Sequence, residues 1–599
     1  MAPVTSKRRK TLPPLPERLV ELQEQLERLG STPSELCKAL HHVLELDATW
    51  PYEKTDLQHW ASVLDILDAA LGKPDSDVTL LVAVLKFTRL LLENCNNRHV
   101  YNSYEHLKRL LEHDDCEVIM ATLRVLSVLA TPRSTRQVVC EAPFLAKLSS
   151  LSSIFSGGGN GQLSLAACCK GQPDPDIMAD GTSVRVQFYR THDAEPESQG
   201  EGGTRAGNEG SATVLLSNVH AMAGTDDDVY ARVVKENNVP KQSEFHVRSK
   251  LRLARCFPDT SKRLQWVRVQ VMATTVLAQC QAAFNQGHIS VNESQLAELI
   301  GLCHPESREG EGETLETPPV DLQTLALKAL TALLSERSRH TAALLSSTAA
   351  AHHGILSGLM CRAKTLVNDG ESAGLQDRLK FGESLLAFTW MFASSSTGSN
   401  ALNTAGIMSF LLPVLQDVDP RRCRFTTLAV KTLEVLMNYS PEIQRSFRDM
   451  DGLNILVDRA FSEVSALAPA EGPKDSESNS TPAAAAGTGL VEAGDSMGED
   501  GDSPWDGKTD AKERNLAGKE PVFTPFISKS AKADEDFERR KLLGQLMHLM
   551  ASAGTPIATS ADVRELMAPK KKLPGLLCKI FNAPECFGAS VFEKAHGFE

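Results

Sequence analysis

Aromatic residues make up only 5% of this 599-residue chain, and no window approaches 18 unbroken apolar residues. The first scarcity removes the stacking platforms on which single-strand nucleic-acid binders lay bases. The second removes a membrane-spanning helix. The 13 cysteines include no Cys-x-x-Cys pair and do not alternate with histidine in a metal-binding rhythm. Cys168 and Cys169 are adjacent, which suits neither a zinc site nor an ordinary disulfide. Cys303 and His304 are adjacent too, with nothing nearby to complete a metal shell. An odd number of scattered thiols fits a reducing compartment, hence cytoplasm or nucleus. His-Glu-x-x-His and kinase signatures are missing. GGGNG at 157–161 lacks the Gly-Lys-Ser/Thr ending of a phosphate loop. No catalytic, metal or cofactor site is therefore expected.

The N-terminus, MAPVTSKRRKTLPPLPERL, is basic without an apolar run, which excludes a secretory signal. Its KRRK, Lys7 to Lys10, reads either as a nuclear-import-like patch or as an ordinary basic terminus. The chain carries a net charge of −13, which opposes nucleic-acid phosphates in general and leaves only a local basic groove for them.

What is present is helix after helix. RLVELQEQLERLG spaces its apolar residues by three and four and stops at Gly30; Ser31, Thr32 and Pro33 then open the next helix, with Glu35 in its first turn. DLQHWASVLDILDAAL, DVTLLVAVLKFTRLLLENC, SYEHLKRLLEH and CEVIMATLRVLSVLA follow, each one helix long. Apolar-striped helices on short connections must bury their stripes against one another, which predicts an all-α, irregular armadillo/HEAT-like α-solenoid. No fixed repeat period is present.

Two stretches break the helical period. From 157 to 225, TSVRVQFYR and SATVLLSNVH alternate in strand fashion around a Gly-rich polar loop, which predicts a small inserted β-ribbon. From 468 to 532 the chain is rich in Gly, Ser, Asp and Glu and poor in large apolar residues, which predicts a long disordered acidic linker and the first site of proteolysis. The expected organisation is a flexible basic N-terminus at 1–17, helical repeats at 18–156, the insertion at 157–225, helical repeats at 226–467, the linker at 468–532, and the start of a further helical segment at 533–599.

ENCNNRHVYNSYEHL, from Glu93, crowds Cys, Asn, His and Tyr between two apolar runs. A cysteine nucleophile needs a base in hydrogen-bond reach, and His99 lies four residues from Cys95. The two asparagines after Cys95 end the helix, however, so the spacing no longer puts the pair on one face. The reading adopted is an elbow: Cys95 in the core, asparagines on free carbonyls, Tyr101 packed on the next helix. Asp114 or Asp115 caps CEVIMATLRVL.

LLENCNNRHVYNSYEHLKRLLEHDDCEVIMATLRVLSVLA resembles the N-terminal helical region of the giant HECT-type ubiquitin-protein ligases of plants, fungi and animals. Further blocks resemble it in the same order: LSLAACC before a strand with QFY, VVKENNVPKQSEFHVRSKLRLARCF, KRLQWVRVQVMATTVLAQC and KLPGLLCKIFNAPECFGASVF. In the last, Phe587, Gly588, Ser590 and Phe592 carry the aromatic–Gly–x–Ser–x–Phe run that opens the family's next helix. The resemblance implies armadillo-like repeats that bind substrates or adaptors. It also implies that ubiquitin transfer and the E2 contact belong to a HECT domain further on, whose Leu-Pro…Thr-Cys context this sequence lacks. A chain truncated before that domain is the expectation.

One basic stripe stands out. In KLRLARCFPDTSKRLQWVRV, Arg252, Arg255, Lys262, Arg263 and Arg268 either line a groove for acidic peptide or nucleic acid, or form a solvated face paired with neighbouring carboxylates, whose removal leaves folding nearly unchanged. Two function classes follow: the partner-binding scaffold of a HECT-type ubiquitin ligase without the catalytic cysteine, or a stand-alone helical adaptor in a transport or nucleic-acid-associated assembly.

Overall fold

The computed structural model describes residues 15–30, 32–45, 54–73, 77–155, 184–189, 211–216, 226–256, 259–281, 293–303, 318–334, 354–368, 374–468, 531–551, 568 and 572–595. Lys7–Lys10, Gly157–Gly161, Cys168, Cys169 and the acidic linker 469–530 lie outside them.

The first helices are α1 Glu17–Leu29, α2 Pro33–Glu45, α3 Ala61–Gly72, α4 Val78–Asn94, α5 Tyr104–Leu110, α6 Cys116–Ala130, α7 Arg133–Val139 and α8 Ala142–Ser152. After two strands, β3 Val184–Tyr189 and β4 Ser211–Leu216, come α9 Asp226–Asn237, α10 Lys241–Cys256, α11 Thr260–Gln281, α12 Glu293–Leu302 and α13 Val320–Leu334. Then follow α14 Gly354–Asn368, α15 Leu375–Ala393, α16 Ser396–Thr404, α17 Ile407–Gln416, α18 Cys423–Tyr439, α19 Pro441–Asp449 and α20 Gly452–Leu467. The last are α21 Ala531–Ala551, α22 Lys572–Asn582, α23 Pro584–Phe587 and α24 Ala589–Ala595.

One row of helices runs through the stack: α2 packs on α4, and then α6, α11, α13, α15, α18, α21 and α24 each pack on the one before. The other helices back this row: α8 lies against α11, α12 against α13, α14 against α15, α17 against both α18 and α20, and α22 against α20. This is the armadillo/HEAT-like arrangement expected from the sequence. It also explains why row helices read as apolar nearly all round, since they are walled on both sides and from behind. In α4 the run from Leu80 to Leu85 is buried without a break, and in α13 so is the run from Leu322 to Leu327. Fully burying each such Leu or Val stabilises by roughly 1.5–3 kcal/mol, so the row is the core of the fold. Threonines are tolerated inside it because their hydroxyls bond back one turn, as from Thr122 to the Val118 carbonyl at 2.8 Å and from Thr275 to that of Val271 at 2.9 Å.

Local signals hold closely. Pro33 is the first residue of α2, and the Thr32 hydroxyl donates to Glu35. Gly30 ends α1, yet with right-handed angles (φ −63°, ψ −13°). Its reason is a close approach, because a Cβ there would stand 2.6 Å from Ile66 of α3. Asp115 caps α6, accepting from the amides of Glu117 at 2.7 Å and Val118 at 3.4 Å. ALNTAGIMSFLLPVLQ divides into α16 and α17 at Gly406, whose φ of +81° suits glycine. The inserted ribbon is antiparallel, β3 pairing β4 with Val184 opposite Leu216 and Tyr189 opposite Ser211, and β3 lies beside α10. A second, two-residue parallel pairing, β1 Thr55–Asp56 with β2 Cys95–Asn96, was not foreseen.

Candidate partner-binding groove

The Cys95 region is an elbow. Helix α4 stops at Asn94, whose side-chain amide donates to the Leu90 carbonyl at 2.9 Å. Asn97 then turns the chain with left-handed angles (φ 59°, ψ 40°). Cys95 is buried against Thr55, with sulfur and hydroxyl 3.2 Å apart, and burial pushes its thiol up to about 11. Arg98 donates to the Val128 carbonyl at 2.9 Å, and buried Tyr101 meets Tyr104 edge-on at 5.6 Å. These contacts finish α4, pair the two short strands and tie the elbow to α6, and none activates sulfur.

Other buried thiols behave alike. Burial raises Cys256 to about 11 and Cys303 and Cys423 to about 12. Cys140 is drawn down by its hydrogen bond to Cys280, but it lies in the core and its charged neighbour is Arg136, which is no base. Among the described residues no three His, Cys, Asp or Glu side chains are placed to hold a metal ion. No helix there is long and apolar enough to cross a membrane.

The surface that the fold does build lies along the open side of the helix row. Several row helices leave polar residues uncovered here: Lys86, Arg89 and Glu93 on α4; Arg124 and Ser127 on α6; Arg268 and Gln279 on α11; Lys328 and Thr331 on α13. The same side continues with Lys380, Glu383, Ala387 and Met391 on α15, and with Arg424, Leu428 and Lys431 on α18. Two adjoining cavities lie here, of about 560 Å³ and about 400 Å³, sharing Glu383, Arg424 and Leu428. The second is lined by Asn94 of α4 together with Glu538 and Lys541 of α21, so helices far apart in sequence meet across it. Basic side chains around the two are Arg136, Lys328, Lys380, Arg424, Lys431 and Lys541; the acidic ones are Glu383 and Glu538. The rest of the first cavity includes Met272, Met391, Ala387 and Leu428 beside Ser127 and Thr331.

Electrostatics mark the place. Lys328 keeps exposed surface but is surrounded by protein on most sides. This desolvation, with Arg124 and Arg89 close by, pulls its ammonium below the usual lysine range. Arg124 is likewise lowered by desolvation and by Arg89. Glu383 is raised by desolvation, although Arg424 at 3.3 Å and Lys328 favour its charge. A concentration of like charge in a protein-walled concavity favours an incoming anionic group.

The five residues of the sequence's basic stripe do not share one exposed face. Arg252 is 7% exposed and donates to the carbonyls of Glu112 at 3.1 Å and His113 at 3.0 Å and to the Asp114 carboxylate. It ties α10 to the turn after α5, so the expectation that its charge is dispensable for folding gives way to a structural role. Arg263 is also buried, Arg255 is half-buried and Lys262 is exposed. Arg268 alone joins the groove stripe, its Nε 2.6 Å from Asp321. Sequence reading missed Arg89, Arg124 and Lys328. Their signal is a lone basic residue inside an otherwise apolar run, as in LALKALTALL.

Comparison with known proteins agrees with this architecture. Two family models match in tandem: the Domain of Unknown Function DUF908 over 76–206 and 191–362, and the Domain of Unknown Function DUF913 over 427–597. The E3 ubiquitin-protein ligase UPL1 of Arabidopsis thaliana is 27% identical over 91% of this chain and 14% of its own length. UPL2 of the same plant is 29% identical over 69% of this chain and 11% of its own length. The E3 ubiquitin-protein ligase HUWE1 of Mus musculus is 25% identical over 72% of this chain and 10% of its own length. The chain thus spans about a seventh or less of these relatives. With both matched domains in order and nine-tenths of its length aligned to such a ligase, the chain carries the DUF908 and DUF913 domains in tandem and is similar to one segment of E3 ubiquitin-protein ligases, as its sequence resemblance implied.

Proposed function

We propose that this chain is a non-catalytic scaffold of a HECT-type E3 ubiquitin ligase, which holds substrate or adaptor proteins while a catalytic domain elsewhere accepts ubiquitin from an E2. The observation that carries the reading is the pair of adjoining cavities along the helix row, lined by residues from α4 to α21, in a fold where burial raises core thiols such as Cys95 and Cys303. A thioester-forming enzyme needs an accessible thiolate with a base beside it; a scaffold needs a long, pre-formed surface, which stacked helices supply. Of the basic stripe at 252–268, Arg268 takes part in partner binding. Work in cytoplasm or nucleus fits the free cysteines.

The test has two arms. Incubated with ubiquitin, E1 and a HECT-competent E2, the chain should form no reductant-sensitive ubiquitin adduct on a non-reducing gel. An adduct lost on mutating one cysteine overturns the reading. Supplied in excess to the corresponding full-length ligase, the chain should lower conjugation of ubiquitin to substrates while leaving the ligase's own thioester intact. Undiminished conjugation contradicts the scaffold role.

A further inference from the structure

Lys328 and Lys431 project into the groove with no carboxylate in ion-pair contact among the described residues. Their neighbour Arg424 is already shared with Glu383. The groove therefore holds more positive charge than its own acids satisfy, in a chain whose net charge is −13. Met391 and Leu428 line the first cavity together with Lys328 and Arg424, and Leu428 also lines the second with Lys431. Resting on the scaffold reading, we propose that the groove binds an acidic segment of a partner protein, its carboxylates on Lys328, Lys431 and Arg424 and its apolar side chains on Met391 and Leu428.

The chemistry favours peptide over nucleic acid. Among the described residues no aromatic ring lines either cavity, so bases find no stacking platform there. Glu383 and Glu538 interrupt the basic lining and would face a phosphate at every step of a continuous polyanion. A peptide carries its carboxylates on separate side chains, which can be spaced around those two glutamates and alternated with leucine or methionine. Methionine lining accommodates varied apolar partners. The mostly negative chain also repels a polyanion at long range more strongly than a short peptide.

Fluorescence anisotropy of the whole chain with a fluorescein-labelled peptide of mixed Glu and Leu tests this. The peptide should bind, weaken as salt rises, and weaken again when its leucines become serine. Lys328→Glu combined with Lys431→Glu should reduce affinity about tenfold or more, whereas Lys241→Glu, on exposed α10 surface, should not. Unchanged circular dichroism shows that the reversals act on binding, and Lys328→Arg with Lys431→Arg should keep it. Equal or tighter binding of oligothymidylate, no peptide binding, or binding indifferent to the double reversal would overturn the proposal. The scaffold reading would survive any of these results, because it stands or falls on the ubiquitin gel and the competition arm.

Discussion

Helix α21 lies across the acidic linker from α20, and a buried charge network joins the two. Glu463 of α20 is fully buried; one of its oxygens lies 2.8 Å from Arg459 of the same helix, the other 2.8 Å from Arg539 of α21. Arg539 also reaches Glu535 at 2.9 Å. Burial works against the Arg539 charge, but the hydrogen bond and proximity of Glu463 outweigh it and leave the guanidinium pKa raised. The Arg459 contact is close but poorly aligned, and its Nε and Nη1 have no hydrogen-bond partner. Replacing Glu463 with leucine would strand Arg459, 1% exposed, beside a second cation. Breaking a buried ion pair this way costs about 3–5 kcal/mol. The cost should appear as detachment of α21, raising its opening equilibrium by about two orders of magnitude or more. Hydrogen–deuterium exchange should show faster exchange in 531–551 with α4 and α6 unaltered. Replacing all three residues together, Glu463→Leu, Arg459→Met and Arg539→Met, should recover most of the loss, since well-packed apolar groups are often as stable as a buried ion pair. Equal exchange in wild type and Glu463→Leu, or a triple variant as unstable as the single, refutes the reasoning.

Three further outcomes follow from the geometry. Burial pushes the Glu298 carboxyl up to about 7, whereas in the unfolded chain it ionises near 4.5. The folded state therefore holds the extra proton and loses stability as pH rises between those values. Glu298→Gln should raise the melting temperature at pH 8, by about 1–2 kcal/mol in stability once its partial exposure is allowed for, and change nothing at pH 4. Gly382 of α15 lies under Phe425 of α18, where a Cβ would stand 2.7 Å from the ring. Gly382→Ala should therefore cost about 1–3 kcal/mol in denaturant unfolding, and Gly382→Ala with Phe425→Leu should recover part of it. Arg252→Met should destabilise by about 1.5–3 kcal/mol through its lost carbonyl and carboxylate bonds, against about 1 kcal/mol for the helix cap lost in Asp115→Ala. A melting curve unchanged by Arg252→Met would restore the solvated-face reading of that residue.

Helix identity was legible because each helix carries its own three-and-four spacing and end signals, as with Pro33 after Thr32 and Asp115 before Cys116. The β-ribbon was legible from its period of two. The parallel pairing of Thr55–Asp56 with Cys95–Asn96 was not, because two residues carry no period and their contact spans 40 positions. The basic stripe at 252–268 misled for a related reason. LRLARCF and KRLQWVRV look evenly charged in line, yet Arg252 points to the turn after α5 and Arg268 to the groove. The direction of a charge is set by what packs on its helix, and those partners lie more than a hundred residues away for Arg252.

The groove shows the same rule in its strongest form. Its cations are spread one or two at a time over successive row helices, so no single window of the sequence contains them together. Lys328 stands alone in LALKALTALL and Arg124 alone in VIMATLRVL. What gathers them is the burial of everything around them. A helix walled on three sides can keep a charged side chain only on the fourth, since an unpaired charge inside the core would cost several kcal/mol. Stacking such helices side by side must therefore align their remaining charges along one open face. In a solenoid, a lone basic residue inside an apolar run is thus the legible trace of the concave surface, and its sign along successive helices states what that surface attracts.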